Sequence, residues 1–212
     1  MGEGVAVKIL AVSDHVVDAV YSSGICERFG DVDLVVSCGD LPYSYLEYIV
    51  SMLNKPSFYV HGNHDGPEYR ASGITLTEPG GWVNLDGQTA EAKQVVLAGL
   101  EGSVRYKPDA PFQYTQREMA WKVHTLTPAL LMNRLRYGRY LDVVITHSPP
   151  LGIHDGDDLP HRGFQAFLGL MDRFKPRYLL HGHKHVYGPE RTRTRYGETE
   201  VINVYPFRVI EY

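Results

Sequence analysis

Only two cysteines occur in 212 residues, Cys26 and Cys38. That excludes a disulfide scaffold. Both lie in apolar segments and read as reduced core thiols of a reducing compartment. Long apolar runs are also missing. The first residues, "MGEGVAVKILAVSD", have no basic flank and an apolar stretch of strand length, so neither a signal peptide nor a membrane span is expected. We expect a cytoplasmic protein with no membrane partner. Positive charge is not in excess: the formal net charge is −4, which argues against a broad nucleic-acid or anionic-membrane footprint. The one local basic strip, "RTRTR" (191–195), reads first as a solvent-facing strand. Repeats, low-complexity tracts and linkers are absent as well. Residues 1–212 therefore read as a single domain, long enough to bury a sizeable core.

What is present is an alternation. "VAVKILAVSD" (5–14), "DLVVSCGD" (33–40) and "SFYVHGNHD" (57–65) read as buried strands. Between them, "DAVYSSGICERFG" (18–30) reads as a helix capped by Asp18 and stopped by Gly30, and "SYLEYIVSML" (44–53) as a second helix. A βαβαβ run implies a parallel sheet with right-handed crossovers. Further on, "GWVNLD", "QVVLAGLEG", "LDVVITHS" and "RYLLHGH" read as strands and "GFQAFLGLMDRF" as a helix. A long helix over 115–138 is expected to break or bend at Pro128. The C-terminal segment predicts a hairpin turning at "YGET" and a closing strand.

The polar residues fall at strand ends. Asp14, Asp40, "GNHD" (62–65), His147 and "GHKH" (182–185) each follow an apolar stretch. In open α/β sheets, ligands bind beyond the carboxyl ends of the strands. A single Asp there is usually a turn residue. Together these segments deliver carboxylates, an amide and imidazoles to one rim, the donor set of borderline divalent metals.

The series "SD…GD…GNHD…TH…GHKH" resembles the calcineurin-like metallophosphoesterase family. The resemblance spans residues 14 to 185. It implies an α/β fold, a four-layer αββα sandwich of two mixed sheets flanked by helices, with two divalent metals (Mn, Fe, Ni, Zn or Co) at the strand ends. It also implies hydrolysis of phosphate mono- or diesters. By similarity Asp40 bridges the metals. One is held by Asp40, Asn63, His147 and His183, the other by Asp14, Asp40 and His185. His64 then contacts the substrate phosphate and protonates the leaving group, with Asp65 orienting its ring. Two ions about 3.5–4 Å apart clamp a phosphoryl group and acidify a shared water, which attacks as hydroxide.

One residue departs from that pattern. The family usually opens with Asp-x-His, whereas "SDHVVD" places His15 directly after Asp14 and Val16 at the x-His position. In an extended segment His15 points away from Asp14. A weak or empty first metal site is the leading expectation; rescue by His15, or substitution by Asp18, are the alternatives. His61 and His181 are candidates for support behind the ligands or for substrate contact, with packed histidines as the competing reading. In the loop "HSPPLGIHDGDDLPHRG" (147–163), His154, His161 and Arg162 are candidates for phosphate contact, and Arg162 is favoured because a planar guanidinium suits phosphate. Tyr43 and Tyr45 lie near the bridging carboxylate and read either as stacking residues or as apolar bulk.

The reading that follows is a metal-dependent phosphoesterase acting on small phosphodiesters or nucleotide-like esters. The alternatives are a catalytically weakened relative serving as a protein-binding module, and a nuclease, which the net charge disfavours. The oligomeric state is not legible.

Overall fold

The structure is a computed structural model that describes residues 6–71 and 73–212; Val5, the first residue of the expected opening strand, lies outside them. The elements run β1 (Lys8–Val12), α1 (Ile25–Phe29), β2 (Leu34–Ser37), α2 (Tyr43–Leu53), β3 (Ser57–Tyr59), β4 (Glu68–Tyr69), β5 (Thr75–Leu76), β6 (Val83–Asn84), β7 (Thr89–Ala92), β8 (Val95–Leu100), β9 (Ser103–Val104), β10 (Gln113–Tyr114), α3 (Gln116–Tyr137), β11 (Val143–Thr146), α4 (Gln165–Phe174), β12 (Tyr178–His181), β13 (Arg193–Tyr196), β14 (Thr199–Asn203) and β15 (Phe207–Glu211).

Two mixed sheets carry the fold. The first has the order β15-β1-β2-β3-β6, the second β13-β14-β12-β11-β8-β7. Their central strands pair in parallel and the edge strands β15, β13 and β7 run antiparallel. The central parallel strands are largely apolar because both of their faces are covered; every residue of "VVLAGL" in β8 is buried. Alternate side chains of each strand then enter different layers. Ile9, Val36, Leu97, Ile145 and Leu180 fill the space between the sheets. Leu10, Val12 and Val35 face α1 and α2, while Val96, Val144 and Leu179 face α3 and α4. The result is the expected αββα sandwich. Truncating one of these fully buried aliphatic side chains to Ala costs about 2–5 kcal/mol.

Register places the chemistry. Val12 pairs with Ser37, and Ser37 with Tyr59, so the first three strands end level. In the second sheet Ile145 pairs with Leu180, and the Gly182 amide donates to the His147 carbonyl at 3.1 Å. All these ends meet on one rim.

Several local expectations are corrected. The first helix is only Ile25–Phe29, entered at Gly24, so Asp18 does not cap it. Cys38 is buried but Cys26 is exposed, because the short helix α1 turns Ile25 and Phe29 inward and leaves Cys26 on its outer side. α3 runs unbroken past Pro128, with Thr115 and Glu118 forming a capping box and Gly138 closing it at φ 75°. Pro128 sits on the exposed side, where water can serve the carbonyl that the missing N–H leaves free. The hairpin does turn between β13 and β14, with Arg193 and Arg195 exposed. No helix among the described residues is long and apolar enough to cross a membrane.

Candidate metal centre

At the rim the strands stop abruptly. Asp14, Asp40 and His183 all adopt the left-handed backbone region, at φ 62°, 56° and 65°. Non-glycine residues rarely do so, and such strain gathers at functional sites. Each is flanked by backbone packed too closely for a side chain. A Cβ on Gly39 would lie 2.3 Å from the Gly62 nitrogen, one on Gly62 would lie 2.0 Å from Asp40 Oδ1, and one on Gly182 would lie 1.8 Å from Ser13 Oγ. These glycines let the turns from both sheets touch.

The turns converge on His147. Its Nε2 atom lies 3.0 Å from Asn63 Oδ1, 3.1 Å from His183 Nδ1 and 3.3 Å from Asp40 Oδ2. Ligand atoms of Asp40, His147 and His183 all fall within 4.8 Å of one another. The far side of each group is tied down. His147 Nδ1 donates to the Cys38 carbonyl at 2.8 Å, and His183 Nε2 donates to the Pro160 carbonyl at 2.7 Å. The Asn63 amide nitrogen donates to the Tyr106 hydroxyl at 3.1 Å. These bonds assign the tautomers and turn the lone pairs inward, as metal-ligating histidines require.

The electrostatics call for a cation. Burial lowers the basicity of His147, but the carboxylates of Asp40 and Asp14 outweigh it and lift its pKa to about 9. Burial and the charge on His147 push His183 down to about 3. Burial opposes ionisation of Asp40, yet His147 holds it ionised, at about 2. Without metal, a proton on His147 supplies the positive charge. Neutral imidazole, amide oxygen and carboxylate suit a borderline divalent ion in its place, so the residues present fit such a metal.

Asp14 and His185 lie beside this cluster in a looser arrangement. Asp14 accepts from Ser13 Oγ and from the His183 amide at 3.0 Å. His185 Nε2 stands 3.8 Å from Asp14 Oδ1, with its side chain 46% exposed and its ring stacked on Tyr205 at 4.5 Å. His15 is exposed, and its ring comes no nearer Tyr205 than 6.5 Å between centroids. The extended geometry expected at Asp14 is absent, since φ is positive there, yet His15 still turns outward. Val16 packs against the core under α1 and α2.

The remaining predicted residues divide. A cavity of about 410 Å³ is lined by Asp14, Asp40, His64, His161, His183 and His185 among others. His64 is exposed there, and its backbone amide donates to Asp40 Oδ1 at 2.8 Å. Among the described residues Asp65 makes no hydrogen bond to the His64 ring. Its Oδ2 accepts from the amides of Asp40 and Gly62, at 3.1 and 2.8 Å, and so clamps the two turns together. Burial, with Asp40 nearby, raises its pKa to about 6. His161 faces the cavity and bonds Asp158 at 2.7 Å. Arg162, the favoured phosphate contact, is exposed and is not among the lining residues. His154 points inward: its Nδ1 donates to His181 Nε2 at 3.0 Å, its Nε2 accepts from Thr194 at 2.9 Å, and His181 Nδ1 donates to Gly182. Both are packed, satisfied histidines behind the rim. His61 is buried too, bonded to Glu101 at 2.9 Å and stacked on Phe112. Tyr43 and Tyr45 are buried, Tyr45 in the layer under α2.

Sequence reasoning misses Tyr106 and the carbonyls of Cys38 and Pro160. No residue type marks a carbonyl, and Tyr106 belongs to an irregular segment without a motif.

Comparison with known proteins gives the family and the fold. Residues 7–187 match the family described as Calcineurin-like phosphoesterase. One solved structure superposes with a TM-score of 0.65 at 14% identity, covering 98% of this chain and 95% of its own. TT1561 of Thermus thermophilus does so at 0.60 and 16% identity, covering 94% and 89%. Identities this low show the fold alone. No curated protein matches the chain. The match over residues 7–187 makes the chain a member of the calcineurin-like phosphoesterase family, whose chemistry is metal-dependent phosphoester hydrolysis.

Proposed function

We propose that the chain hydrolyses small phosphodiesters or nucleotide-like phosphate esters, with Asp40, Asn63, His147 and His183 holding one divalent metal. The observation that carries this reading is the meeting of those donor atoms around His147 Nε2, where Asp40 and His183 line a cavity that His64 also lines. Asp14 and His185, with Asp40 shared, hold a second and weaker metal, because Val16 stands where the family has its histidine. A bound divalent metal polarises the phosphoryl group and acidifies a water. The ligand types are compatible with Mn, Fe, Ni, Zn or Co.

The chain's own residues do the rest. Asp40 is ionised already in the metal-free chain, where His147 holds it low against the cost of burial. His64, exposed on the rim with its backbone fixed by Asp40, contacts the phosphate and delivers a proton to the leaving oxygen. His161 borders the same cavity and contacts the ester. The volume of about 410 Å³ admits a small ester.

The test is turnover of bis(4-nitrophenyl) phosphate and 4-nitrophenyl phosphate by Mn²⁺-loaded protein, with His64→Ala beside it. Loss of about 100-fold or more in kcat for His64→Ala supports the proton-donor role. A second reading, a weakened relative acting as a binding module, draws on the loose contact of His185 with Asp14 at 3.8 Å. Metal uptake without turnover of either ester favours it.

A further inference from the structure

We propose that Tyr106 is a positioning residue of the metal centre, acting through Asn63. The inference rests on the metal-centre reading above. Asn63 is the neutral ligand of the proposed set, and it is buried. An amide has two ends. When its oxygen turns toward the metal, its NH₂ group turns away into protein, and a buried donor without an acceptor is costly. The structure supplies that acceptor: the Asn63 Nδ2 atom donates to the Tyr106 hydroxyl at 3.1 Å while Oδ1 faces His147 at 3.0 Å. Among the described residues the Tyr106 hydroxyl has no other hydrogen-bond partner.

Tyr106 is placed independently of the centre it serves. It stands in the connection between β9 and β10, which pair in parallel. The buried Gln113 at the start of β10 reaches back across this connection. Its Oε1 accepts from the amides of Tyr106 and Lys107, at 3.1 and 3.0 Å. The Arg105 guanidinium closes the turn on the Gln113 carbonyl, at 3.2 and 3.1 Å, and the Ser103 amide donates to the Phe112 carbonyl at 3.0 Å. Lys107 covers the Tyr106 ring at 5.5 Å. The hydroxyl is thus presented to Asn63 by a braced loop, as a preorganised support behind a ligand should be.

Tyr106→Phe keeps the ring and removes only the hydroxyl. The measurement is Mn²⁺ affinity of metal-depleted protein by competition with a chelating indicator, together with the melting temperature of the metal-free chains. We expect Tyr106→Phe to lose about ten-fold or more in affinity, with the metal-free melting temperature lowered only by the single bond that the Asn63 amide loses. In an Asn63→Ala background the same substitution should cost nothing further, because the two residues act through one bond. Wild-type affinity in Tyr106→Phe overturns the assignment while leaving the metal centre standing. An equal loss in the Asn63→Ala background overturns the route through Asn63. A wild-type chain that takes up no Mn²⁺ overturns the metal-centre reading, and this assignment with it.

Discussion

His147 Nε2 and His183 Nδ1 face each other at 3.1 Å, and the other nitrogen of each ring is committed to a backbone carbonyl. Two inward lone pairs repel unless a cation lies among them. In the metal-free chain that cation is a proton on His147, stabilised by Asp40 and Asp14 against the cost of burial.

Metal uptake must therefore expel that proton. At pH 7 we expect release of about one proton per Mn²⁺ bound. The pKa of the metal-free group is about 9, so affinity should rise about ten-fold per pH unit up to there and then level off. Calorimetry in two buffers of different ionisation enthalpy reads the proton directly. Binding heats independent of buffer would show that His147 is neutral before metal arrives.

The second equivalent should depend on His185. Its side chain is 46% exposed, and of the proposed metal ligands it approaches Asp14, at 3.8 Å, while its other contacts are to Tyr187 and Tyr205 at the surface, so His185→Ala should fold normally and retain the tighter metal. Elemental analysis of reconstituted protein should fall from two metals per chain toward one. A fall to none would mean that His185 supports the cluster around His147.

Gly182→Ala tests the contact between the sheets' turns. Its Cβ would fall 1.8 Å from Ser13 Oγ and 2.3 Å from Asp14 Oδ2. We expect about 1–3 kcal/mol of lost stability in urea, with Asp14 displaced. Gly169 in α4 has nothing within 4 Å of its virtual Cβ, so Gly169→Ala should be stabilising by about 0.4–1 kcal/mol. Equal behaviour of the two variants would mean that the rim yields easily.

The histidine pair behind the rim should make folding acid-sensitive. Burial holds His181 at about 3 and His154 at about 4, against about 6.5 in the unfolded chain. Between pH 6.5 and 4 the unfolded state takes up protons that the folded state refuses. Stability contributed by their neutral forms is present above about 6.5 and drains as pH falls, by about 1.4 kcal/mol per unit for the fully buried His181. Urea titrations of His181→Asn should show a shallower acid limb than wild type; matching slopes would refute the assignment.

Much of this arrangement is legible because it is written in side chains at strand ends. Apolar stretches mark the sheets, and the polar residue after each one marks the rim. The failures have physical causes. Alternation turns His15 outward on the premise of an extended chain; the outward turn holds, but the positive φ of Asp14 removes the premise. Asp65 stands next to His64 in sequence, but its Oδ2 accepts from two backbone amides across the rim. Arg162 has the right chemistry for phosphate, whereas its place on a surface turn decides its exposure. Tyr106 carries no local signal, because its partner lies 43 positions away in sequence.

The bonds from His147 to the Cys38 carbonyl and from His183 to the Pro160 carbonyl also bear on how such a centre is inherited. A codon change at position 38 or 160 alters the side chain and leaves the carbonyl in place. Within what packing around the buried Cys38 side chain permits, those residues can therefore change while the imidazoles stay aimed. The orientation of the ligands is stored in the course of the main chain, where comparing sequences letter by letter would find no trace of it.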